Sequence, residues 1–248
     1  MAMLNCHIHS DVLKRATGLT IEVPEKNDGH CQVLYLLHGL TGNQDSYMLG
    51  NAIHRLVADY NLVVVTPDVK RSFYANMVKG DRYWDYVSQE LPQIVANLCP
   101  ISHERKDTFA GGISMGGYGA LKLALSMPEK FSKVMALSPV TGLRTHFYDG
   151  GGLLSLKDFQ CCFGSKEELR KSDANLENLV KKIADVKERP QLLMRIGRED
   201  FLYQDCCEFR KQLDSVNYSY DYQDEPGLHE WRLWQKWMPD ALKFLVNG

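Results

Sequence analysis

Two alternating stretches open the chain. From Asn5 to Arg15 polar and apolar residues trade places at period two, and Leu19 to Val23 does the same before Pro24 stops it. Side chains on a strand point to opposite faces in turn, so the two stretches predict an antiparallel hairpin. The pattern then changes. Gln32 to Leu37, Leu62 to Thr66, Phe131 to Leu137 and Gln191 to Ile196 are short, mostly apolar runs, as expected of strands buried on both faces. Asp107 to Ala110 is a shorter β-leaning run, and Asn217 to Tyr222 alternates again.

Between these runs apolar residues recur at helical spacing. Helices are predicted over Asn51 to Tyr60, Asp85 to Leu98 with Pro92 as a kink or first-turn proline, from Ala120 to Leu125, Phe201 to Leu213 and Trp231 to Val246. Two charged helices are expected near Lys166 to Arg170 and from Asn175 to Val186, the second capped by Asp173. Strands and helices therefore alternate from Gln32 onward, which predicts an α/β fold: a mostly parallel sheet with helices on both faces. The 248 residues suit a single domain, 1–248. Two segments interrupt the rhythm. Pro67 to Tyr83 is irregular and aromatic, and Val140 to Gly164 is loop-like, with glycines at 150–152. The insertion after the sixth strand, about 140–189, reads as a cap above the strand ends, with the glycine run as its hinge.

Composition narrows the partners. Lys and Arg total 29 against 31 Asp and Glu, a formal net charge of −2 without a long run of one sign. Neither nucleic acid nor an anionic membrane surface is expected. No apolar stretch approaches the ~20 residues of a membrane span. The first residues show neither a basic region nor the apolar core of a signal peptide, so a cytoplasmic protein is expected. The seven cysteines agree with that. Their number is odd, Cys161-Cys162 and Cys206-Cys207 are poor disulfide partners, and there is no C-x-x-C, so reduced thiols are expected. His7 and His9 share a strand face but lack a third ligand, and no metal is expected.

The chemistry centres on Gly112-Ile113-Ser114-Met115-Gly116, set between a predicted strand and a predicted helix. In that context G-x-S-x-G is a nucleophile elbow. A sharp turn raises the Ser114 hydroxyl, and side chains at Gly112 or Gly116 would collide with the neighbouring strand or helix. The N–H of Met115, opening the helix, is aimed to where an oxyanion would form. A second donor is expected from His38-Gly39-Leu40-Thr41-Gly42-Asn43, a glycine-rich loop after a buried strand, with the Leu40 N–H as the candidate.

Active-site groups in open α/β sheets gather at the carboxyl ends of strands. Ser114, Asp200 and His229 occupy such ends in the order characteristic of α/β-hydrolases. His229 would serve as base and Asp200 as the acid that orients it. Asp200 is preferred to Glu199 and Asp205 because it closes the strand-end turn. His229 is preferred to His38, His103 and His146 because it alone lies in the last strand–helix loop. The base must be neutral to accept a proton, so activity should fall as the solution becomes acidic.

The chain resembles the esterase D-like carboxylesterases of the α/β-hydrolase superfamily, a group that includes tributyrin esterases, S-formylglutathione hydrolases and some feruloyl and acetyl esterases. The resemblance runs through His9 to Leu13, Leu36 to Gly42, Arg71-Ser72-Phe73-Tyr74, the elbow, Gly197 to Tyr203, and Pro226-Gly227-Leu228-His229-Glu230-Trp231. It implies the α/β-hydrolase fold, with nucleophile, acid and base on Ser114, Asp200 and His229 and the oxyanion amides on Leu40 and Met115. Within the family the chain looks most like the short bacterial tributyrin-esterase type. S-formylglutathione hydrolases usually carry a histidine just before the serine and another shortly after it, where this chain has Ile113 and Tyr118.

The expectation is a serine carboxylesterase needing no cofactor. It would hydrolyse short acyl esters, acetyl to butyryl, with acylated carbohydrates and feruloyl esters in view, and Phe73, Trp84 and Phe147 are candidate substrate contacts. A thioesterase of the S-formylglutathione hydrolase type and a non-catalytic interaction module are the alternatives. A homo-oligomer is compatible with the sequence.

Overall fold

The structure, a computed structural model, describes residues 1–143 and 155–247. Among the described residues eight strands form one sheet: β1 (Ala2–Ser10), β2 (Arg15–Val23), β3 (Gln32–Leu37), β4 (Leu62–Pro67), β5 (Thr108–Ile113), β6 (Lys133–Leu137), β7 (Gln191–Gly197) and β8 (Tyr220–Glu225). Their order across the sheet is β1-β2-β4-β3-β5-β6-β7-β8. The β1–β2 and β2–β4 pairs are antiparallel. Every pair from β4 to β8 is parallel.

Strand alternation divides the core into two layers. Val33, Tyr35 and Leu37 face one layer, with the helix α5 (Met115–Ser126). Leu34 and Leu36 face the other, with α1 (Ser46–Asn51) and α10 (Trp231–Val246), which contribute Tyr47, Leu233, Trp237 and Leu242. Both faces of the central strands are thus dry, which is why these strands read as apolar runs. Registers such as Leu37↔Gly112 and Ile113↔Leu137 bring the C-terminal ends of β3, β5 and β6 level, at the edge where Ser114 emerges.

Several boundaries differ from the sequence reading, each for a local or remote reason. The first strand ends at Ser10, and the turn to β2 is set by a carboxylate far along the chain: Glu90 accepts from the N–H of Asp11 at 2.6 Å and of Val12 at 3.3 Å. The helix expected over Asn51 to Tyr60 is two short ones, α1 and α2 (Ile53–Leu56), broken by Ala52 at φ 48°. The stretch around Pro92 begins earlier, at α3 (Tyr83–Asp85), and passes through a π-turn (Tyr86–Glu90) into α4 (Leu91–Leu98). The wide turn makes room for a proline ring that lacks an N–H. Asn217, at φ 50°, delays the last strand to Tyr220.

The insertion after β6 contains α6 (Leu156–Phe163), inside what the sequence reads as loop, then α7 (Lys166–Lys171) and α8 (Leu176–Ile183). Asn175, not Asp173, caps α8, accepting from the N–H of Glu177; Asp173 pairs with Lys182 at 2.6 Å. Helix α8 buries Leu176, Leu179, Val180 and Ile183. Helix α6 lies on the loop after β4, where Val78 and Lys79 donate to the carbonyls of Cys162 and Cys161. The glycine run at 150–152 falls outside the described residues.

Candidate active site

Ser114 is the hinge between β5 and α5. Its backbone sits at φ 55° and ψ −118°, a strained region for any residue with a Cβ. The surroundings force the bend. A Cβ on Gly116 would collide with the carbonyl of Leu37, and one on Gly112 would collide with the backbone of Gly116. Helix and strand can approach this closely only because both positions are glycine. The Ser114 N–H donates to Leu137 at 2.9 Å, and the N–H groups of Tyr118 and Val140 donate to its carbonyl at 3.1 and 3.2 Å. The side chain is left to project from the turn.

A line of polar contacts leads away from it. His229 Nε2 lies 2.9 Å from Ser114 Oγ. His229 Nδ1 lies 2.8 Å from Asp200 Oδ2. The second Asp200 oxygen accepts from the Leu202 N–H at 2.9 Å. A carboxylate can accept only, so Nδ1 carries the proton toward Asp200 and Nε2 is free to accept from the serine. Asp200 is buried, and the imidazole lies between Phe201, at 4.8 Å between ring centroids, and the edge of Trp234, at 5.0 Å. These walls shield the Asp–His pair from water and strengthen its interaction.

The loops carrying Asp200 and His229 are clasped together past the end of the sheet. Arg198 N–H donates to Glu225 O at 2.9 Å and Glu199 N–H to Gly227 O at 3.2 Å. The Glu199 carboxylate accepts from the Gly227 N–H at 2.5 Å. Glu199, the rival acid in the sequence, therefore holds the loop that presents His229. Asp205, the other rival, lies against Gly142.

His38 has a different place. It is fully buried, its Nε2 accepts from the Val69 N–H at 3.1 Å, and its Nδ1 donates to Gly39 O at 2.7 Å. Burial holds it below the ordinary histidine pKa, so the neutral ring serves as a brace for the loop and not as a base at Ser114. Gly42 N–H also donates to Gly39 O, at 3.0 Å. The C=O and N–H of a trans peptide point in opposite directions, so fixing the Gly39 carbonyl turns the Leu40 N–H the other way. Among the described residues neither Leu40 N–H nor Met115 N–H donates to a protein acceptor. A cleft of about 750 Å³ opens here, lined by Leu40, Leu49, Ile113, Ser114, His229 and Trp231 among others.

Two of the three expected substrate contacts, Phe73 and Trp84, are not among the residues lining this cleft. Phe73 is fully buried, packed edge-on against Tyr118 and Phe163, and is not on the cleft wall. Trp84 borders a separate depression with Lys130 and Asp173 and covers the Lys122 ammonium at 4.2 Å. Phe73 belongs to the loop after β4 and Trp84 to α3, which follows it. Phe147 lies outside the described residues. Among the described residues no group of three His, Cys, Asp or Glu side chains is arranged to hold a metal ion, and no helix is long and apolar enough to cross a membrane.

The Esterase family model matches residues 10–245. An acetyl esterase of Caldicellulosiruptor saccharolyticus is 30% identical, over 99% of this chain and 98% of its own. Among solved structures, the Staphylococcus aureus fluorophosphonate-binding serine hydrolase FphF superposes with a TM-score of 0.89 at 32% identity, covering 100% of this chain and 99% of that one. The S. aureus S-formylglutathione hydrolase FrmB gives 0.89 and 32%, covering 99% of each chain.

Proposed function

The chain belongs to the Esterase family and is a serine carboxylesterase; from that premise we propose that Ser114, His229 and Asp200 hydrolyse short acyl esters, acetyl to butyryl, through an acyl-enzyme. The observation that carries the reading is the unbroken line from Ser114 Oγ through His229 to Asp200, at 2.9 and 2.8 Å.

In this reaction His229 takes the Ser114 proton as Oγ adds to the ester carbonyl. It then passes that proton to the departing alcohol, and a water molecule repeats the sequence on the acyl-enzyme. Asp200 keeps the imidazole in the accepting tautomer and stabilises its protonated form. The carbonyl oxygen becomes an oxyanion received by the N–H groups of Leu40 and Met115. Losing one such donor typically costs about 3 kcal/mol of transition-state stabilisation. The apolar cleft walls at Leu49 and Trp231 suit an uncharged ester. The reading of 140–189 as a cap and of the protein as cytoplasmic goes with this proposal; the seven free cysteines support the latter.

The test is a profile of kcat/KM over p-nitrophenyl esters of increasing acyl length, with acetylated sugars, feruloyl esters and S-formylglutathione alongside. Labelling of Ser114 by a fluorophosphonate probe is followed in parallel. The expected result is a maximum at short acyl chains and a label lost in Ser114→Ala. A protein inert to every ester and to the probe would defeat the proposal, and a preference for the glutathione thioester would replace it with the thioesterase reading.

A further inference from the structure

Lys122 lies on α5, two turns beyond Ser114, with its side chain buried in the core. Its ammonium donates to the carbonyl of Tyr74 at 3.0 Å and sits 4.2 Å from the centroid of the Trp84 ring. Among the described residues it forms no ion pair, although Asp173 and Asp85 are near enough to favour its charge. Burying an ammonium without a direct counter-ion is costly, and an apolar side chain of similar volume would fill the space without that cost.

The carbonyl it holds belongs to an unusual piece of backbone. Phe73 and Tyr74 both have φ near 51°, two consecutive bulky residues in the left-handed region. Such a conformation persists only where its surroundings impose it. Here the Tyr74 N–H donates to Ser72 Oγ at 3.1 Å, and Lys122 takes the carbonyl. The bend sends the Tyr74 side chain back under the loop after β3, where its buried hydroxyl donates to His38 O at 2.9 Å. His38 in turn fixes Gly39 O at 2.7 Å. The two peptide planes preceding Leu40 N–H are therefore pinned, one by Tyr74 and one by the His38 ring.

We propose that Lys122 is a positioning residue for the oxyanion-binding amide of Leu40, acting through the backbone and hydroxyl of Tyr74 and through His38. The inference rests on Leu40 N–H being an oxyanion donor, as in the reaction above. Lys122 touches no reacting atom. It holds Tyr74 in the bend from which the hydroxyl reaches the loop, and the loop contacts the nucleophile turn: a Cβ on Gly39 would lie 3.6 Å from the Ser114 Cβ. A displaced amide weakens binding of the oxyanion, which exists only along the reaction path, and leaves the ground-state ester little affected.

The test is a double-mutant cycle on hydrolysis of p-nitrophenyl acetate by the full chain, with Lys122→Met, Tyr74→Phe and the pair. Thermal unfolding of each variant is measured alongside. Tyr74→Phe removes a single hydroxyl, so the question stays answerable even if Lys122→Met does not fold. Each single substitution is expected to lower kcat about tenfold with KM within about twofold, a fraction of what loss of a donor costs. The double variant should be no slower than the slower single, because both break one chain of contacts. Wild-type kcat in either folded single variant, a loss confined to KM, or losses that multiply in the pair would each overturn the proposal. A wild type inert to ester and fluorophosphonate would instead defeat the parent reaction, so the two failures are distinguishable.

Discussion

Tyr47 ties the end of β3 to Ile113, the residue before Ser114. Its buried hydroxyl donates to Leu37 O at 2.7 Å and accepts from the Ile113 N–H at 3.0 Å. The loop carrying Leu40 starts just after Leu37, and Ser114 follows Ile113. One side chain on α1 thus sets the spacing between the two halves of the site. Tyr47→Phe keeps the ring and removes both of these hydrogen bonds. A buried hydrogen bond contributes about 1 kcal/mol net, so chemical denaturation should show a loss of roughly 2 kcal/mol. Turnover should fall as well. A variant as stable and as active as wild type would show that water replaces the hydroxyl in full.

Ser114→Ala should lower turnover by several orders of magnitude and leave the unfolding midpoint near or above that of wild type, since among the described residues the Ser114 hydroxyl meets one polar partner, His229. Asp200→Asn is expected to retain the fold and lose about 10³–10⁴-fold in kcat. The amide would donate toward Nδ1 and favour the wrong imidazole tautomer. Near-wild-type rates in either variant would assign the chemistry to other groups.

Gly116→Ala is expected to destabilise the protein by about 3 kcal/mol or more, because the colliding atoms are backbone of β3 and of His38 just after it, which cannot step aside. The measurement is the yield of folded protein and its urea midpoint. A fully folded alanine variant would mean that α5 can shift on the sheet.

Stability should rise with pH above neutrality. Burial lowers the Lys122 pKa from an ordinary 10.5 to about 7. Between those values the unfolded chain binds a proton that the folded protein does not, so unfolding becomes less favourable as pH increases. This single group should add roughly 2 kcal/mol between neutral pH and about pH 9. Urea titrations at the two pH values read it directly, and Lys122→Met should lack that increment. An equal pH slope in the two proteins would place the ammonium in contact with water. His38 acts in the same sense at lower pH. Its pKa is held below the ordinary 6.5, so stability is lost as pH falls through that value and the unfolded chain takes up a proton.

The places where sequence reading and structure part are instructive. The boundaries missed at Ser10 and Ala52 depend on a remote carboxylate and on a left-handed residue that carries no glycine signature. Phe73 and Trp84 stand in or beside a long aromatic stretch that reads as a loop, and loops of that kind often touch substrate. Which way a ring turns depends on backbone angles that composition does not encode, and φ near 51° sends Phe73 into the core. The supporting groups were illegible for a related reason. Tyr47, Glu199 and Lys122 look in the sequence like any tyrosine, glutamate or lysine on a helix or loop.

What the chain alone determined is local: periods of two and of helical spacing, the glycines that permit a sharp turn at Ser114, and the order in which candidate serine, acid and base occur. These follow from sterics and side-chain direction within a few residues. Tertiary structure decided the rest, beginning with the sheet order that makes β5 a neighbour of both β3 and β6. It brought an imidazole to a hydroxyl 115 residues away. It also turned a buried histidine into a brace and gave a buried lysine a carbonyl to hold. Contacts across such separations are set by how two packed layers close on one sheet, and no local window of residues carries that information.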